Sequence, residues 1–360
     1  LRSGQRDHDG IRLEANQATN GRFHTDWLNM IYPRLKLARE FLSEDGVIFI
    51  SIDDHEIDNM RKVCNEIFGE NNFIAQFVWQ RAFSPKNDAR YVSTSHDYIV
   101  MFARDISRFT IGRLPRTEKQ NARFKNPDND PRGPWASSDL SVKTYNPADD
   151  YEIITPSGRK VSPPSGRCWM VSREKYEDLV RDNRIWFGEK GTNCPTKKTF
   201  LSELKKEGIV PQTLLLHKEH GSSRDGGEEL KRVMGVRVFD GPKPVTLLQH
   251  LMVIASLKDD STVMDFFSGS GSTAHAVMKF NAQTGKHCRF IMAQIPEAVN
   301  AKSEAAKEGY QTICEIGKER IRLSGAAIKA ESGLMAGDLD TGFRVLKLDS
   351  SNMKDVYYSA

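Results

Sequence analysis

The chain has 360 residues, of which 38% are hydrophobic and 28% charged, a composition typical of a folded globular protein rather than a disordered one. Its 52 basic and 48 acidic residues give a net charge of +4, too even a balance to indicate a nucleic-acid partner from bulk charge. No run of about 18 apolar residues is present, so no membrane partner is expected. The five cysteines are scattered, without a CxxC pair or zinc spacing, which favours a reduced cytoplasmic protein with no metal site.

The first predicted elements alternate between helix and strand. Residues 1–22 are polar and lack periodicity, so we expect a loop that continues sequence lying upstream of residue 1. Apolar residues recur at helical spacing over 25–42, and 56–69 is a second predicted helix. Between them, 47–52 is a short apolar run typical of a strand buried in a parallel sheet.

Two further apolar runs, at 73–80 and 98–103, predict an antiparallel hairpin at the edge of the sheet. Composition then changes, and residues 104–230, rich in Pro, Gly, Asn, Arg and Lys, predict a folded inserted module. Within it, 104–132 has eight Arg or Lys against four Asp or Glu. This stretch is a candidate for phosphate contacts, with a solvated basic loop as the alternative.

The α/β pattern resumes near residue 243, so the chain divides into core segments 1–103 and 231–360 around the module 104–230. The later predicted elements are a helix at 244–256, a strand at 261–267, a Gly-rich turn with a helix at 269–281, a strand at 289–295, a long charged helix at 301–330 and a strand at 343–348.

The most informative motif is Asp265-Phe266-Phe267-Ser268-Gly269-Ser270-Gly271-Ser272-Thr273, at a strand–turn–helix junction. Glycines there let a ligand approach the backbone, and a helix start presents free N–H groups to an anion. A P-loop would need Gly-Lys-Ser/Thr, which is absent, and a dinucleotide fingerprint would need Gly where Ala274 stands. S-adenosylmethionine is the remaining ligand, and a purely structural Gly turn is the alternative.

Two nearby features favour a nucleoside ligand. Glu297 follows the next predicted strand, where an acid can accept hydrogen bonds from both ribose hydroxyls; a surface helix cap is its alternative. Lys243, flanked by Pro242 and Pro244, could reach a cofactor carboxylate, or could be a solvated residue at a helix start. Three further groups are predicted to be structural: Asp53-Asp54 as a strand-end turn and helix cap, the helical His275, and most of Trp135, Trp169 and Trp186 as module core.

With these residues in place, the sequence resembles the modification subunits of type III restriction–modification systems, which are adenine N6 methyltransferases. Four blocks carry the resemblance, within residues 20–355. They are TDWLNMIYPRLKLAREFLSEDGVIFISIDDHE with EIFGENNFIAQFVWQR (25–81), PRGPWASSDL with RIWFGEKGTNCPTKKTFLSE (131–203), PKPVTLLQHLM through DFFSGSGSTAHAVM to QIPE (242–297), and EGYQTICEIGKERIR with TGFRVLKLDSSN (308–352).

The resemblance implies a fold and a set of site residues. The fold is α/β: a Rossmann-like S-adenosylmethionine-dependent methyltransferase core, a mostly parallel sheet with an antiparallel edge hairpin, and an inserted target-recognition domain. The implied cofactor-binding residues are Asp265, Phe266, Phe267, Gly269, Ser270, Gly271, Thr273, Glu297, Lys243 and Pro244. The candidate DNA-binding residues of the module and its approach are Arg104, Arg108, Arg113, Arg116, Lys119, Arg123 and Lys125.

The sequence departs from the family at the catalytic motif. The family's motif, Asp-Pro-Pro-Tyr, positions a base flipped out of the duplex, and no such tetrapeptide occurs here. Only Ser162-Pro163-Pro164-Ser165 contains a Pro-Pro pair, without the acid or the aromatic residue. We therefore expect the motif upstream of Leu1, and this chain alone to bind the cofactor poorly and to transfer methyl groups hardly at all.

The sequence thus predicts methyl transfer from S-adenosylmethionine to adenine N6 in double-stranded DNA. As implied by resemblance, the partners are a second copy of the chain and a restriction subunit, in a prokaryotic cytoplasm at the nucleoid. Two other classes stay open. One is an inactive DNA-binding specificity module, and the other, weaker, is a nucleotide-dependent oxidoreductase built on the same Gly turn.

Overall fold

The computed structural model describes residues 23–85, 89–204, 208–333 and 339–348. The chain divides into two compact units. The first unit comprises Leu1–Gly112 and Pro211–Ala360, and the second comprises Arg113–Val210. None of the described helices is long and apolar enough to cross a membrane.

The first unit begins with alternating helices and strands. In chain order these are α1 (Phe23–Phe41), β1 (Val47–Ile52), α2 (Ile57–Phe68), β2 (Phe73–Trp79) and β3 (Asp97–Ala103). β3 pairs antiparallel with both β1 and β2, from Ile52↔Tyr98 to Val47↔Ala103 and from Trp79↔Asp97 to Phe73↔Phe102. The predicted helices, strands and antiparallel hairpin are therefore confirmed.

The second unit holds most of the short strands. Its elements are α3 (Glu118–Asn121), β4 (Trp135–Asp139), β5 (Ser141–Val142), β6 (Ile153–Ile154), β7 (Lys160–Val161), β8 (Cys168–Trp169), α4 (Arg173–Arg181), β9 (Ile185–Trp186) and β10 (Thr196–Phe200). Strands β4, β10 and β9 form a three-stranded antiparallel sheet in that order. β5 pairs with β8, and β6 pairs with β7, in two separate two-stranded sheets. Leu140, Trp169 and Ile185 lie in its core.

The chain then returns to the first unit. The elements there are β11 (Leu214–Leu215), α5 (His217–His220), α6 (Ser223–Met234), α7 (Val245–Ile254), β12 (Thr262–Asp265), α8 (Ser272–Thr284), β13 (Arg289–Met292), α9 (Glu304–Lys307) and α10 (Ile313–Ser332). β12 and β13 pair in parallel, from Thr262↔Arg289 to Asp265↔Met292. Among the described residues they form a sheet separate from the four-stranded sheet β1-β3-β2-β11.

Three details of the sheet prediction are corrected. The hairpin is not at the edge, because β11 adds to β2 in parallel through Leu214↔Val78 and Leu215↔Trp79. β1 pairs only antiparallel within the described residues, so it is not a strand of a parallel sheet there. The described sheets are accordingly mixed, with both parallel and antiparallel pairs, in an α/β architecture.

Helix α7 links the two sheets of the first unit. Leu247, Leu251 and Ile254 of α7 pack on the four-stranded sheet. Its Val245 and Met252 pack with α8 and the β12-β13 pair. The opposite face of the four-stranded sheet is covered by α1 and α2. α7 therefore positions β12, the strand that leads into the Gly turn, beside the four-stranded sheet.

The remaining predictions differ at element ends. The long helix predicted over 301–330 begins at Ile313, because Gly309 has φ +88° and separates it from α9. Residues 343–348 form no strand, and Leu346 and Leu348 are about fully exposed (90% and 102%). The second unit is also shorter at both ends than the predicted module 104–230. Residues 104–112 and 211–230 belong to the first unit, where Phe109 and Leu215 pack against its sheet.

Candidate functional site

The Gly turn connects β12 to α8 and is organised by Asp265. This carboxylate accepts a hydrogen bond from the Phe267 main-chain N–H (3.1 Å) and another from the Thr273 hydroxyl (2.6 Å). The two bonds tie the end of the strand to the first turn of the helix. Asp265 and Thr273, both predicted site residues, are therefore brought together.

Both glycines of the turn have left-handed backbone, with φ +51° at Gly269 and +77° at Gly271. A Cβ on Gly271 would lie 3.1 Å from the Gly317 carbonyl oxygen of α10. No side chain caps α8, whose N-cap residue is Gly271. The turn therefore requires glycine for its conformation and for close packing, and it leaves the start of α8 without a side-chain acceptor.

The two aromatic residues of the turn have different environments. Phe266 is partly buried and packs against the core cluster of α1, β1 and α2. Phe267 is 51% exposed, with its ring centroid 5.2 Å from that of Phe266. Phe266 thus packs on the core, whereas about half of the Phe267 side chain is open to solvent.

Lys243 lies beside the turn. It precedes Pro244, the N-cap residue of α7, and its Nζ is 5.6 Å from the centre of the Trp79 ring. Burial lowers the pKa of Lys243, and the charges of Asp97 and Asp265 act in the opposite direction. The charge of Asp265 therefore favours the protonated form of Lys243, as expected of two residues of one site.

The backbone around Lys243 is fixed by α6. A Cβ on Gly226 would lie 2.1 Å from the Pro242 carbonyl oxygen, and Glu229 accepts a hydrogen bond from the Val245 main-chain N–H (2.8 Å). The helix therefore approaches this segment as closely as a glycine permits.

Glu297 follows β13 and is held by its backbone. Its N–H donates to the Ile295 carbonyl (2.7 Å), and its carbonyl accepts from the Ile313 N–H at the start of α10 (2.9 Å). In the described part of the chain, its carboxylate makes no hydrogen bond or ion pair. The carboxylate is therefore available to an incoming ligand.

Two residues at the turn were missed by sequence reasoning. The Gln294 side chain accepts a hydrogen bond from the Gly269 N–H (2.8 Å), and the buried Arg320 donates to the hydroxyls of Ser270 and Ser272. A signal for Arg320 existed: it lies on the apolar stripe of α10 with Ile316 and Ile321, where a charge is unexpected.

The groups predicted to be structural behave in that way, except that Asp53-Asp54 does not cap α2, whose N-cap residue is Glu56 without a side-chain cap hydrogen bond. Asp53 accepts hydrogen bonds from the N–H of His55 (3.1 Å) in the turn after β1. His275 is buried in α8, where burial and the neighbouring Arg320 lower its pKa to about 3, so it is neutral at physiological pH. Trp135 and Trp169 are buried, whereas Trp186 is partly exposed.

The predicted DNA-binding residues fall in both units. Arg104 and Arg108 lie in the first unit. The Arg104 Nη1 donates to the carbonyls of Arg39 and Leu42 at the end of α1 (both 2.9 Å), so part of its guanidinium is engaged in holding α1. In the second unit, Lys119, Arg123 and Lys125 are exposed, while Arg113 and Arg116 are partly buried.

Comparison with known proteins identifies the family. Residues 10–324 match the N6/N4 methyltransferase family, described as DNA methylase, and the chain belongs to that family. This confirms the resemblance found in the sequence blocks.

Particular relatives are modification (Mod) subunits. The chain is 34% identical to the type III restriction-modification enzyme StyLTI Mod subunit of Salmonella typhimurium, over 95% of this chain and 51% of the relative. It is 33% identical to the EcoPI Mod subunit of Escherichia phage P1, over 83% and 50%, and 28% identical to the EcoP15I Mod subunit of Escherichia coli, over 90% and 53%. The chain thus spans about half the length of these relatives.

Proposed function

We propose that this chain binds S-adenosylmethionine and serves adenine N6 methylation of double-stranded DNA in a restriction–modification system. The observation that carries the proposal is the Gly turn at the end of β12, with Asp265, Lys243 and Glu297 around it. The relatives are Mod subunits of type III restriction-modification enzymes, which is the basis for the reaction and for the restriction subunit as a partner.

The residues present fit the cofactor. Its carboxylate suits the uncapped start of α8 and the Lys243 cation, because both attract negative charge. Its ribose hydroxyls suit the free Glu297 carboxylate, and its adenine suits the exposed face of Phe267. When bound, the cofactor would supply an electrophilic methyl group on its sulfonium, while the protein binds and orients it.

The second unit is the proposed target-recognition domain, inserted into a Rossmann-like core. Its sequence has 19 Lys or Arg against 14 Asp or Glu, whereas the rest of the chain has 33 against 34. The net excess of positive charge therefore belongs to Arg113–Val210, as expected of a surface that contacts phosphates. Homodimerisation and action at the prokaryotic nucleoid are further parts of the proposal.

The cofactor site is tested by Gly271→Ala against Gly285→Ala. Both glycines have left-handed backbone, with φ +77° and +68°, but only Gly271 has close neighbours and belongs to the turn. A left-handed Ala costs about 1–2 kcal/mol at either position. We expect wild-type and G285A to bind S-adenosylhomocysteine equally in calorimetric titration, and G271A to bind at least about tenfold more weakly.

Methyl transfer is measured in the same series with tritiated S-adenosylmethionine and mixed-sequence duplex DNA. Because the expected catalytic motif falls outside the 360 residues, a version extended upstream is assayed beside this chain. Label on adenine N6 that depends on Gly271 supports the enzyme. Cofactor-independent DNA binding without label from either version would instead favour the specificity module.

A further inference from the structure

Arg320 of α10 is a buried cation directly behind the Gly turn. Its side chain is fully buried, and its Nη1 donates to the hydroxyls of Ser270 (3.0 Å) and Ser272 (2.6 Å), which are also buried. Its Nε and Nη2 have no hydrogen-bond partner among the described residues. Charged groups are rarely buried without an opposite charge, because desolvation is costly.

No carboxylate of the described residues forms an ion pair with Arg320, and the charge of Glu229 acts to raise its pKa. Burial lowers its pKa to about 10, so the guanidinium remains positive at physiological pH. The protein therefore keeps a positive charge under the turn, and within the described ranges its direct hydrogen-bond partners are the two neutral hydroxyls. Burying this charge has a desolvation cost, and an anionic group bound at the turn would offset that cost.

The hydroxyls of Ser270 and Ser272 connect the Arg320 guanidinium to the Gly turn. A guanidinium can only donate, so Ser270 and Ser272 must accept from it, and their own O–H groups remain free to donate elsewhere. Ser270 lies within the turn and Ser272 is the first residue of α8, whose start has no side-chain cap. Fixing both hydroxyls also fixes the backbone between them, including the left-handed Gly271.

The packing of α10 keeps this arrangement in place. Gly317, one turn before Arg320, would have a Cβ 3.3 Å from the Gly269 carbonyl oxygen. The helix thus contacts the turn backbone directly and holds the guanidinium at a constant depth below it. This close approach is what distinguishes Arg320 from Arg322 on the same helix, which is 56% exposed and paired with Glu319 (3.2 Å).

We propose that Arg320 is a positioning residue that makes the turn selective for the carboxylate of the cofactor's amino-acid end. It acts through Ser270 and Ser272, without touching the ligand. The inference rests on the proposed function, because it assumes that S-adenosylmethionine occupies this turn.

The test compares two ligands that differ in that end. S-adenosylhomocysteine has the carboxylate, whereas 5′-methylthioadenosine keeps the nucleoside and the sulfur but lacks the amino-acid group. We expect Arg320→Met to weaken S-adenosylhomocysteine binding by about ten- to a hundredfold, the range for a charge-assisted interaction, and to change 5′-methylthioadenosine binding less than about twofold. Arg320→Lys, which keeps the charge, should restore most of the loss, and Arg322→Met should change neither ligand.

The outcomes separate the two claims. A parallel loss for both ligands, or no loss for either, overturns the positioning role and leaves a structural one. Wild-type chain that binds neither ligand overturns the proposed function and this inference with it. If circular dichroism shows that R320M does not fold, the ratio of the two ligands' affinities is measured instead in Ser270→Ala, which removes one partner hydroxyl. An unchanged ratio there would also overturn the inference.

Discussion

At the scale of single residues, Asp130 of the second unit lies in a buried network of charged groups. Its buried carboxylate accepts two hydrogen bonds from the Arg132 guanidinium (both 2.8 Å) and one from the Asn183 amide (3.1 Å). The fully buried Lys198 lies between Asp130 and Asp128, with its Nζ 5.2 Å from the Trp135 ring centre. These groups form one buried charge network, so removing one member leaves its partners unpaired.

Asp130→Asn tests this network through the pH dependence of stability. Hydrogen bonds from Arg132 hold the pKa of Asp130 well below the ordinary Asp value of 3.8. The carboxylate therefore stabilises the fold above pH 3.8, and this contribution is lost as pH falls through the folded-state value. We expect D130N to lower the free energy of unfolding by about 3 kcal/mol at pH 7, by urea denaturation.

The gap between D130N and wild type should shrink as the pH is lowered below 3.8. Asp178→Asn is the control, because Asp178 is 50% exposed and its pair with Arg181 is a surface pair. It should change stability by less than about 0.5 kcal/mol. A D130N gap that is independent of pH would contradict the ionised network.

Among the elements, α6 shows how backbone contact positions a site residue. Gly226 and Gly227 are adjacent and both buried in this helix, but their surroundings differ. A Cβ on Gly226 would lie 2.1 Å from the Pro242 carbonyl oxygen, next to Lys243, whereas a Cβ on Gly227 would have its nearest neighbour, the Arg237 Nε, at 4.0 Å. Sequence spacing does not distinguish the two glycines.

The two substitutions by alanine should therefore have opposite signs. Gly226→Ala forces α6 away from the 242–244 segment and should destabilise the chain by about 1–3 kcal/mol, as overpacking does. Gly227→Ala should be neutral or stabilising by up to about 1 kcal/mol, because Ala is a better helix former than Gly. Urea unfolding of both variants measures the difference in the free energy of unfolding. Equal effects would show that the close contact with Pro242 does not destabilise the Gly226→Ala variant.

At the scale of the whole molecule, positive charge is concentrated in the second unit, so DNA binding should depend on it. We expect simultaneous Lys119→Gln, Arg123→Gln and Lys125→Gln to weaken DNA binding and to reduce the slope of log affinity against log salt by about 3, or about 0.9 for each lost phosphate contact. Fluorescence anisotropy at several salt concentrations measures both quantities.

The control for that experiment is Lys307→Gln in the first unit, an exposed lysine paired with Glu304 (2.5 Å). It should leave the salt slope unchanged. A triple variant with the wild-type slope would mean that these three residues contact no phosphates, and the second unit would lose its main support as the recognition domain.

Much of the fold and the motif could be predicted from sequence, because local patterns determine them. Apolar runs and helical periodicity gave β1, the β2-β3 pairing, α7 and α8, and the Gly-rich segment after β12 gave the turn. Its two glycines permit the left-handed backbone that the turn adopts, which other residues avoid. The family was also evident at this level, because long blocks of sequence match it in order.

Contacts between distant segments could not be predicted, because they depend on which elements pack together. Nothing local places the two-residue β11 beside β2, or Arg320 of α10 beneath Ser270 of the turn, 50 positions away. Nor could the sequence show that the Arg104 guanidinium donates to a main-chain carbonyl at the end of α1. The sequence by itself determined the elements, the Gly turn and the family, whereas tertiary packing decided which side chains surround the turn, because burial and hydrogen bonding between remote segments have no local signal.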